Sequence, residues 1–283
     1  MSIELIVGKQ NLDGGWPYRQ GVSWTEPTAF AILAALAQGR QEAAARGAEW
    51  LRRVQRADGG FPPQTAVDES TWVTSLVALL PPDLIGQAEH ARAVAWLYRV
   101  TGEDAGAIYR LRQIMLGNTD ALRYSPGGWP WVPGSATWVT PTVFGILALR
   151  RAQRVRPSPE IAGRIDQGVR FLLARMCSDG GWNHGASRAL GVEAQSYPET
   201  TGLALLGLAG VRSSQLSKAF EAAGHFLARC QACDEQSWLR LGLLAHGRLP
   251  AGFDPRPLPA RTVRDLAVAA LAERASDGKN LFL

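Results

Sequence analysis

Two glutamates stand at the same place in two separate copies of one sequence pattern. Glu26 lies two residues after Trp24 and Glu199 lies two residues after Tyr197, and in both cases a threonine follows two residues later. This shared register predicts that both carboxyl groups face the interior beside those aromatic rings. A carboxyl group removed from water has a raised pKa, which suits it for acid chemistry or for hydrogen bonding a ligand. The structural alternative is a first-turn glutamate that complements its helix dipole in water, worth only about 0.3–1 kcal/mol.

Large aromatic residues stand at the start of the same apolar segments. They are Trp24, Trp72, Trp138 and Tyr197, and Trp131 lies near the third of them in sequence. One interpretation is that these rings fill the core, and the other is that they line a cavity and bind substrate. Aromatic faces suit flat or polyene ligands and stabilise passing carbocations. Converging helix N-termini at this place would also favour an anionic group such as a diphosphate.

The elements that carry these residues recur along the chain. A phrase built on Gly-Gly and an aromatic residue occurs near 10–16, 55–61, 124–129 and 176–182, and a worn copy lies at 231–238. The paired glycines are 45, 68 and 53 residues apart, and such periods are typical of repeats that bury their apolar faces on each other. We therefore interpret residues 1–283 as one domain built five times.

Each copy combines a buried helix with an amphipathic one. The segments that follow the aromatic residues are apolar almost all round, which is typical of buried helices. Amphipathic patterns occupy 40–55, 160–176, 217–231 and 260–275. Threonine or serine just ahead of a buried helix is expected to cap it. Glycine suits the connecting turn because it adopts the left-handed conformation after a helix C-terminus.

These patterns predict an inner ring of five or six buried helices inside an outer ring of amphipathic helices. Because every Gly-Gly turn runs from an outer to an inner helix, all inner-helix N-termini should lie at one end of the ring. The long spacing of 68 residues predicts an extra helix within residues 103–117. No alternating strand pattern occurs between the repeats, so the fold class is all-α.

The composition limits the classes of partner that the protein is expected to bind. The net charge of +5 comes from arginines scattered along amphipathic segments, which indicates solvated helix faces and no nucleic acid partner. No apolar stretch is long enough to predict a transmembrane segment. The first residues do not have the pattern of a signal peptide, so we expect a cytoplasmic protein with reduced thiols.

The Gln-x-x-Asp-Gly-Gly-Trp phrase, its period and the apolar helix after it resemble the repeats of squalene–hopene cyclases and protein prenyltransferase β-subunits. That resemblance covers nearly the whole chain and implies an α/α toroid. It also implies that the glutamine and aromatic residues of the phrase brace helix ends between neighbouring repeats. Their counterparts in this chain are Gln10, Trp16, Gln55, Phe61, Trp129 and Trp182.

The resemblance implies a terpene cyclase activity, but this sequence departs from the motif on which that activity depends. Class II terpene cyclases protonate an alkene or epoxide with an Asp-x-Asp-Asp motif at the start of an inner helix, and this needs a carboxylic acid kept neutral. The corresponding places hold single acids, Glu26 and Glu199, and the nearest acidic cluster is Asp68 with Glu69. These four are the candidate catalytic residues, for protonation or for stabilising a cation.

Metal chemistry receives less support. The similar prenyltransferases hold catalytic zinc with an Asp-x-Cys pair, which this chain lacks. Cys230 and Cys233 have the spacing of half a zinc site, and Cys177 with His184 stands in a related place one repeat earlier, but buried inert thiols are the expected state. We predict no metal and no cofactor.

The sequence thus indicates a terpene-cyclase-like toroid that binds or transforms an isoprenoid or another hydrophobic small molecule. As an enzyme it would be a cyclase or a prenyl transferase without catalytic zinc. A non-catalytic toroid that serves as a binding or assembly module is the alternative. Both a partner subunit and a homodimer are compatible with the sequence.

Overall fold

The computed structural model describes residues 3–106, 111–112, 114–115, 127–185, 188–189 and 192–283. The helices, in chain order, are α1 (Ile3–Val7), α2 (Thr25–Ala37), α3 (Gln41–Val54), α4 (Val73–Ala78), α5 (Pro82–Ile85), α6 (Gln87–Arg99), α7 (Val139–Val155), α8 (Pro159–Ala174), α9 (Pro198–Gly207), α10 (Leu216–Arg229), α11 (Cys233–Leu244) and α12 (Val263–Ser276). Two short hairpins pair β1 (Trp129–Pro130) with β2 (Thr137–Trp138) and β3 (Arg188–Ala189) with β4 (Val192–Glu193).

Within the described residues, six helices form a closed inner ring in the order α2, α4, α7, α9, α11 and α12, and α12 packs back on α2. In the same described part of the chain, four outer helices, α3, α6, α8 and α10, each pack against an inner helix. The prediction of a helical toroid with an inner and an outer layer is confirmed. No helix in the described part of the chain is long and apolar enough to cross a membrane.

One helix was assigned to the wrong layer. The segment 260–275 was expected to be an amphipathic outer helix, but α12 is an inner helix with most of its residues buried. The reason is that α2, α11 and α1 pack around it, so its alanine-rich sides are all covered.

Each Gly-Gly turn depends on a backbone shape that only glycine adopts easily. Gly59 has a φ of +92°, and a Cβ placed there would lie 2.7 Å from the carbonyl oxygen of Arg92 on α6. The Asp58 carboxylate accepts hydrogen bonds from the backbone N–H of Gly60 and from the Ser70 hydroxyl. Gln55 donates from its side chain to the carbonyls of Gly59 and Glu89, so it ties the turn to the next outer helix.

The threonines near the inner helices act differently from the prediction. No side-chain cap is present at α2, α4, α7 or α9. Instead, a threonine inside each helix accepts a hydrogen bond from the backbone N–H of the aromatic residue that follows the glycine pair. The pairs are Thr28 with Trp16, Thr74 with Phe61, Thr142 with Trp129 and Thr201 with Trp182, at 2.8–3.0 Å.

Backbone hydrogen bonds join neighbouring repeats around the ring. The N–H groups of Thr25, Trp72 and Val139 donate to the carbonyls of Pro63, Trp131 and His184, each of which stands two residues after the aromatic of the next turn. The N–H of Val263 donates at 2.7 Å to the carbonyl of Tyr18, and this bond closes the ring.

The fifth copy of the repeat differs from the first four, and the structure describes only part of the segment in which an extra helix was expected. In the fifth copy there is no Gly-Gly turn, since Cys233 already begins α11 and Trp238 lies inside that helix. Of the extra helix expected within 103–117, Glu103–Ala105 form a short 3₁₀ turn, and much of the remainder lies outside the described residues.

Candidate functional site

The first turns of four inner helices, α2, α9, α11 and α12, bring four ionisable side chains together at one end of the ring, here called the mouth. Arg264, from the first turn of α12, lies among three acids that begin other inner helices. Its Nε is 2.9 Å from a Glu26 oxygen, one terminal nitrogen is 2.5 Å from Glu199, and the other is 3.7 Å from Asp234. We call these four residues the acid cluster.

The acid cluster is largely withdrawn from water. The exposed fraction of the side chain is 14% for Glu26, 19% for Arg264, 26% for Asp234 and 27% for Glu199. Tyr18 donates its hydroxyl to the second oxygen of Glu26. The two glutamates singled out by sequence register are therefore brought together, although α2 and α9 are not neighbours in the ring.

Three carboxyl groups share one guanidinium, and this imbalance governs their protonation. Burial raises the pKa of Glu26, and the negative charge of Glu199 adds to this, while Arg264 and the Tyr18 hydroxyl act in the opposite direction without cancelling it. Burial also raises the pKa of Asp234, and Glu199 again adds to it. Although burial acts to lower the pKa of Arg264, Glu26 and Glu199 hold it above its ordinary value, so the guanidinium stays charged. The arrangement favours a proton that is retained on a carboxyl group of the acid cluster.

The opposite side of the mouth is aromatic. The Trp72 ring meets Trp131 edge-on at 4.8 Å between centroids and lies 5.8 Å from Phe144. On the side of the acid cluster, Trp24 packs edge-on against Tyr18 at 5.6 Å between centroids. Trp72, Trp131 and Trp24 are partly exposed, whereas Phe144 is buried.

Tyr197 and Trp138 belong to the same rim. Tyr197 is 49% exposed and its ring lies 5.3 Å from that of His184. Trp138 pairs with Trp129 in the β1–β2 hairpin. Trp72 was predicted to be equivalent to Trp24, Trp138 and Tyr197, but the backbone bonds place it one residue later: Thr71 donates to the carbonyl of Phe61 as Trp24 donates to that of Trp16.

The second pair of candidate acids lies elsewhere. Asp68 is almost fully exposed and forms an ion pair with Arg56 of the turn after α3, and Glu69 is exposed. In the described part of the chain, neither forms a hydrogen bond or an ion pair with a residue of the acid cluster. The reason is that both residues lie in the loop before α4, whereas the acids of the cluster lie within the first turn of an inner helix.

Sequence reasoning missed Arg264, Asp234 and Tyr18. Asp234 stands at the second position of α11, as Glu26 and Glu199 do in α2 and α9. Alignment of this helix with the other inner helices could therefore have predicted Asp234 as a third acid of the site. Tyr18 lies two residues after the aromatic of the first turn. Arg264 lies between Thr262 and Asp265, which form the capping box of α12, but no repeat phrase precedes this helix.

The cysteines do not form a metal centre in the described part of the chain. Cys177, Cys230 and Cys233 are all buried and free. Burial raises the pKa of the Cys177 thiol to about 11 and raises those of the other two. Among the described residues, no group of three or more His, Cys, Asp or Glu side chains is placed to hold a metal ion.

Comparison with known proteins defines the class of the fold. No family model matches the chain. A GH8 endo-β-1,4-glucanase from an Achatina fulica gut metagenomic library superposes with a TM-score of 0.62 at 15% identity, covering 99% of this chain and 98% of that one. The type II terpene cyclase MstE from Scytonema superposes with a TM-score of 0.53 at 19% identity, covering 99% and 76%. The protein is thus an α/α toroid, a fold shared by glycosidases and a terpene cyclase.

One curated protein is similar in sequence. A drimenyl diphosphate synthase from Streptomyces showdoensis is 27% identical over 183 residues. The match spans 62% of this chain and 30% of the length of that synthase. The sequence similarity therefore concerns a terpenoid-related protein, over less than a third of its length.

Proposed function

We propose that this toroid transforms an isoprenoid at the mouth of the ring, with Glu26 as the proton donor. The observation that carries the proposal is the acid cluster, in which a largely buried carboxyl group with a raised pKa lies on one side of a mouth whose other side is aromatic. The partial likeness to a drimenyl diphosphate synthase supports an isoprenoid, and a terpenoid diphosphate in particular, as the ligand class.

The chemistry requires a carboxylic acid that still holds its proton when the substrate binds. Proton transfer from Glu26 to an alkene carbon forms a C–H bond and leaves a carbocation on the substrate and a carboxylate on the enzyme. Arg264, 2.9 Å away, stabilises that new carboxylate, and the Tyr18 hydroxyl donates to it. The Trp72 and Trp131 faces stabilise the cation through their quadrupoles. Transfer of a neighbouring proton from the carbocation back to the Glu26 carboxylate forms the new double bond, regenerates the acid and completes an isomerisation without any redox partner.

The acid cluster also supports the alternative of a non-catalytic binding module. Arg264 already neutralises part of the charge, and the Asp-x-Asp-Asp motif of class II cyclases is missing from the sequence. A toroid of this kind would bind an apolar ligand at the aromatic side and use the charges only to hold the inner helices together.

Deuterium uptake from solvent distinguishes the proposed enzyme from the non-catalytic binding module. The protein is incubated in D₂O with geranyl, farnesyl or geranylgeranyl diphosphate, and the hydrocarbon part of the product is examined by mass spectrometry after phosphatase treatment. A proton donor of solvent origin places deuterium on a carbon of the product. Glu26→Gln should abolish this uptake, whereas Glu221→Gln, an exposed change on α10, should leave it unchanged. Binding of the diphosphates without any labelled product would establish the binding module instead.

A further inference from the structure

A small recess lies beside the acid cluster, at the place where the ring closes. Its volume is about 270 Å³, and Asp234 belongs both to its wall and to the acid cluster. The backbone hydrogen bond from Val263 to Tyr18 brings the segment of Arg19 against that of Arg261, and both arginines line the recess. Sites that enclose a whole drug-sized ligand measure roughly 300–1,000 Å³, so this recess suits a smaller group.

The two arginines of the recess are not engaged by acids. Within the described residues, the side chains of Arg19 and Arg261 form no hydrogen bond and no ion pair, and both residues are exposed. A guanidinium group presents its N–H donors in a fixed fork, which matches the oxygens of a phosphate group with two parallel hydrogen bonds. Two such forks on one small recess favour an anion of this kind.

The two acids in the wall of the recess already have partners. Asp265 accepts hydrogen bonds from the backbone N–H groups of Arg261 and Thr262, at 2.9 and 3.0 Å, in the capping box of α12. Asp234 lies 3.7 Å from Arg264, and burial raises its pKa, which favours its neutral form. The charges left without a partner in the recess are therefore positive.

The start of α11 forms another part of the wall. Gln231, Ala232 and Cys233 line the recess, and the N-cap residue Ala232 provides no side-chain cap. The N–H groups in the first turn of a helix carry partial positive charge and bind phosphate and other anions. This helix end thus acts in the same direction as the two arginines.

We propose that this recess binds a phosphate or diphosphate group through the guanidinium groups of Arg19 and Arg261. The group is either a free anion or the head group of an isoprenoid diphosphate, and the second source rests on the proposed function. Because Asp234 is shared with the acid cluster, a head group in the recess holds the start of its isoprenoid chain at the mouth.

Titration calorimetry with inorganic diphosphate tests the recess without any turnover. Arg19→Gln and Arg261→Gln should each raise the Kd about tenfold, because each change removes charge-assisted hydrogen bonds. The double variant should bind more weakly than either single variant. Arg212→Gln is the matched control, since Arg212 is an exposed arginine between α9 and α10, at the end of the ring opposite the mouth. Its Kd should equal that of the wild type.

Farnesyl diphosphate and farnesol, titrated by tryptophan fluorescence quenching, distinguish the two sources of the group. If the recess holds the head group, the double variant loses affinity for farnesyl diphosphate and keeps its affinity for farnesol. If only the affinity for inorganic diphosphate falls, the recess binds a free anion and the head-group placement is overturned.

The outcomes also separate this proposal from the proposed function. Equal Kd values for inorganic diphosphate in the wild type and the double variant overturn the anion site, even where deuterium uptake confirms catalysis. Absence of binding to the wild type does the same. Weaker binding in the variants without any deuterium uptake supports the anion site and overturns the catalysis. Should the double variant not fold, the two single variants decide.

Discussion

Replacing Arg264 with methionine removes the one cation of the acid cluster and leaves three largely buried carboxyl groups together. Arg264 is 19% exposed and lies within 3.7 Å of all three acids. Removal of one partner from a buried ion pair typically costs about 3–5 kcal/mol, whereas an exposed pair contributes about 0–1 kcal/mol. We therefore expect Arg264→Met to lose about 3–5 kcal/mol of unfolding free energy near pH 8.

The loss should depend on pH in a defined direction. Arg264 lowers the pKa values of Glu26 and Asp234 in the wild type, so both values rise further in the variant. A group whose folded pKa exceeds its unfolded value contributes stability at low pH, and that stability is lost as the pH rises through the folded value. The penalty of Arg264→Met should consequently be smaller near pH 5 than near pH 8.

Urea unfolding followed by circular dichroism measures both quantities. Arg40→Met is the matched control, since Arg40 pairs with Glu4 at the surface, where the two side chains are 50% and 62% exposed. The control should lose about 0–1 kcal/mol at either pH. An equal loss for Arg264→Met at both pH values, or a loss as small as that of the control, would refute the claim that the acid cluster is withdrawn from water.

Three further predictions concern the turn, the tyrosine and the thiols. Gly59→Ala should lose about 1–3 kcal/mol in a urea titration and clearly more than Gly21→Ala, because both glycines have φ above +90° but only at Gly59 does a Cβ meet a carbonyl oxygen; equal losses would exclude the close contact as a cause. Tyr18→Phe removes a hydrogen bond that lowers the pKa of Glu26, so the basic limb of the pH profile for deuterium uptake should move to higher pH, and a move to lower pH would contradict the assigned proton donor. The buried thiols should react with iodoacetamide near pH 8 only after unfolding, and fast labelling of the native protein would count against their burial; they are Cys177, Cys230 and Cys233.

The inner ring was predictable because two strong local signals coincide. Segments such as α2 are apolar on all sides, and each of the first four copies of the phrase places a glycine pair before such a segment. A positive φ at Gly14, Gly59, Gly127 and Gly180 is the physical requirement behind that pattern. The placement of α12 was not predictable in the same way. Alanines such as Ala269 and Ala272 fit both a buried and a partly exposed face, so only the helices packed around them decide the layer.

Part of the acid cluster, the two glutamates, could be predicted from the sequence. The register of Glu26 and Glu199 follows from local spacing, and that spacing predicts a similar orientation. Their common partner is separated from Glu26 by more than two hundred residues and belongs to a helix with no repeat phrase before it. Only closure of the ring brings Arg264 beside Glu26, and closure is a property of the whole fold that no local pattern carries.

The backbone hydrogen bond from Val263 to Tyr18, which closes the ring, affects how the chain folds during its synthesis. An open solenoid can add repeats one by one, since each new unit covers the one before it. In this closed ring, the side of α2 that α12 covers has no neighbour until residue 263 has been synthesised. Contacts of such long sequence separation form slowly. The nascent chain must therefore carry an uncovered apolar face through most of its synthesis, and chaperone dependence and aggregation during overexpression are the expected results.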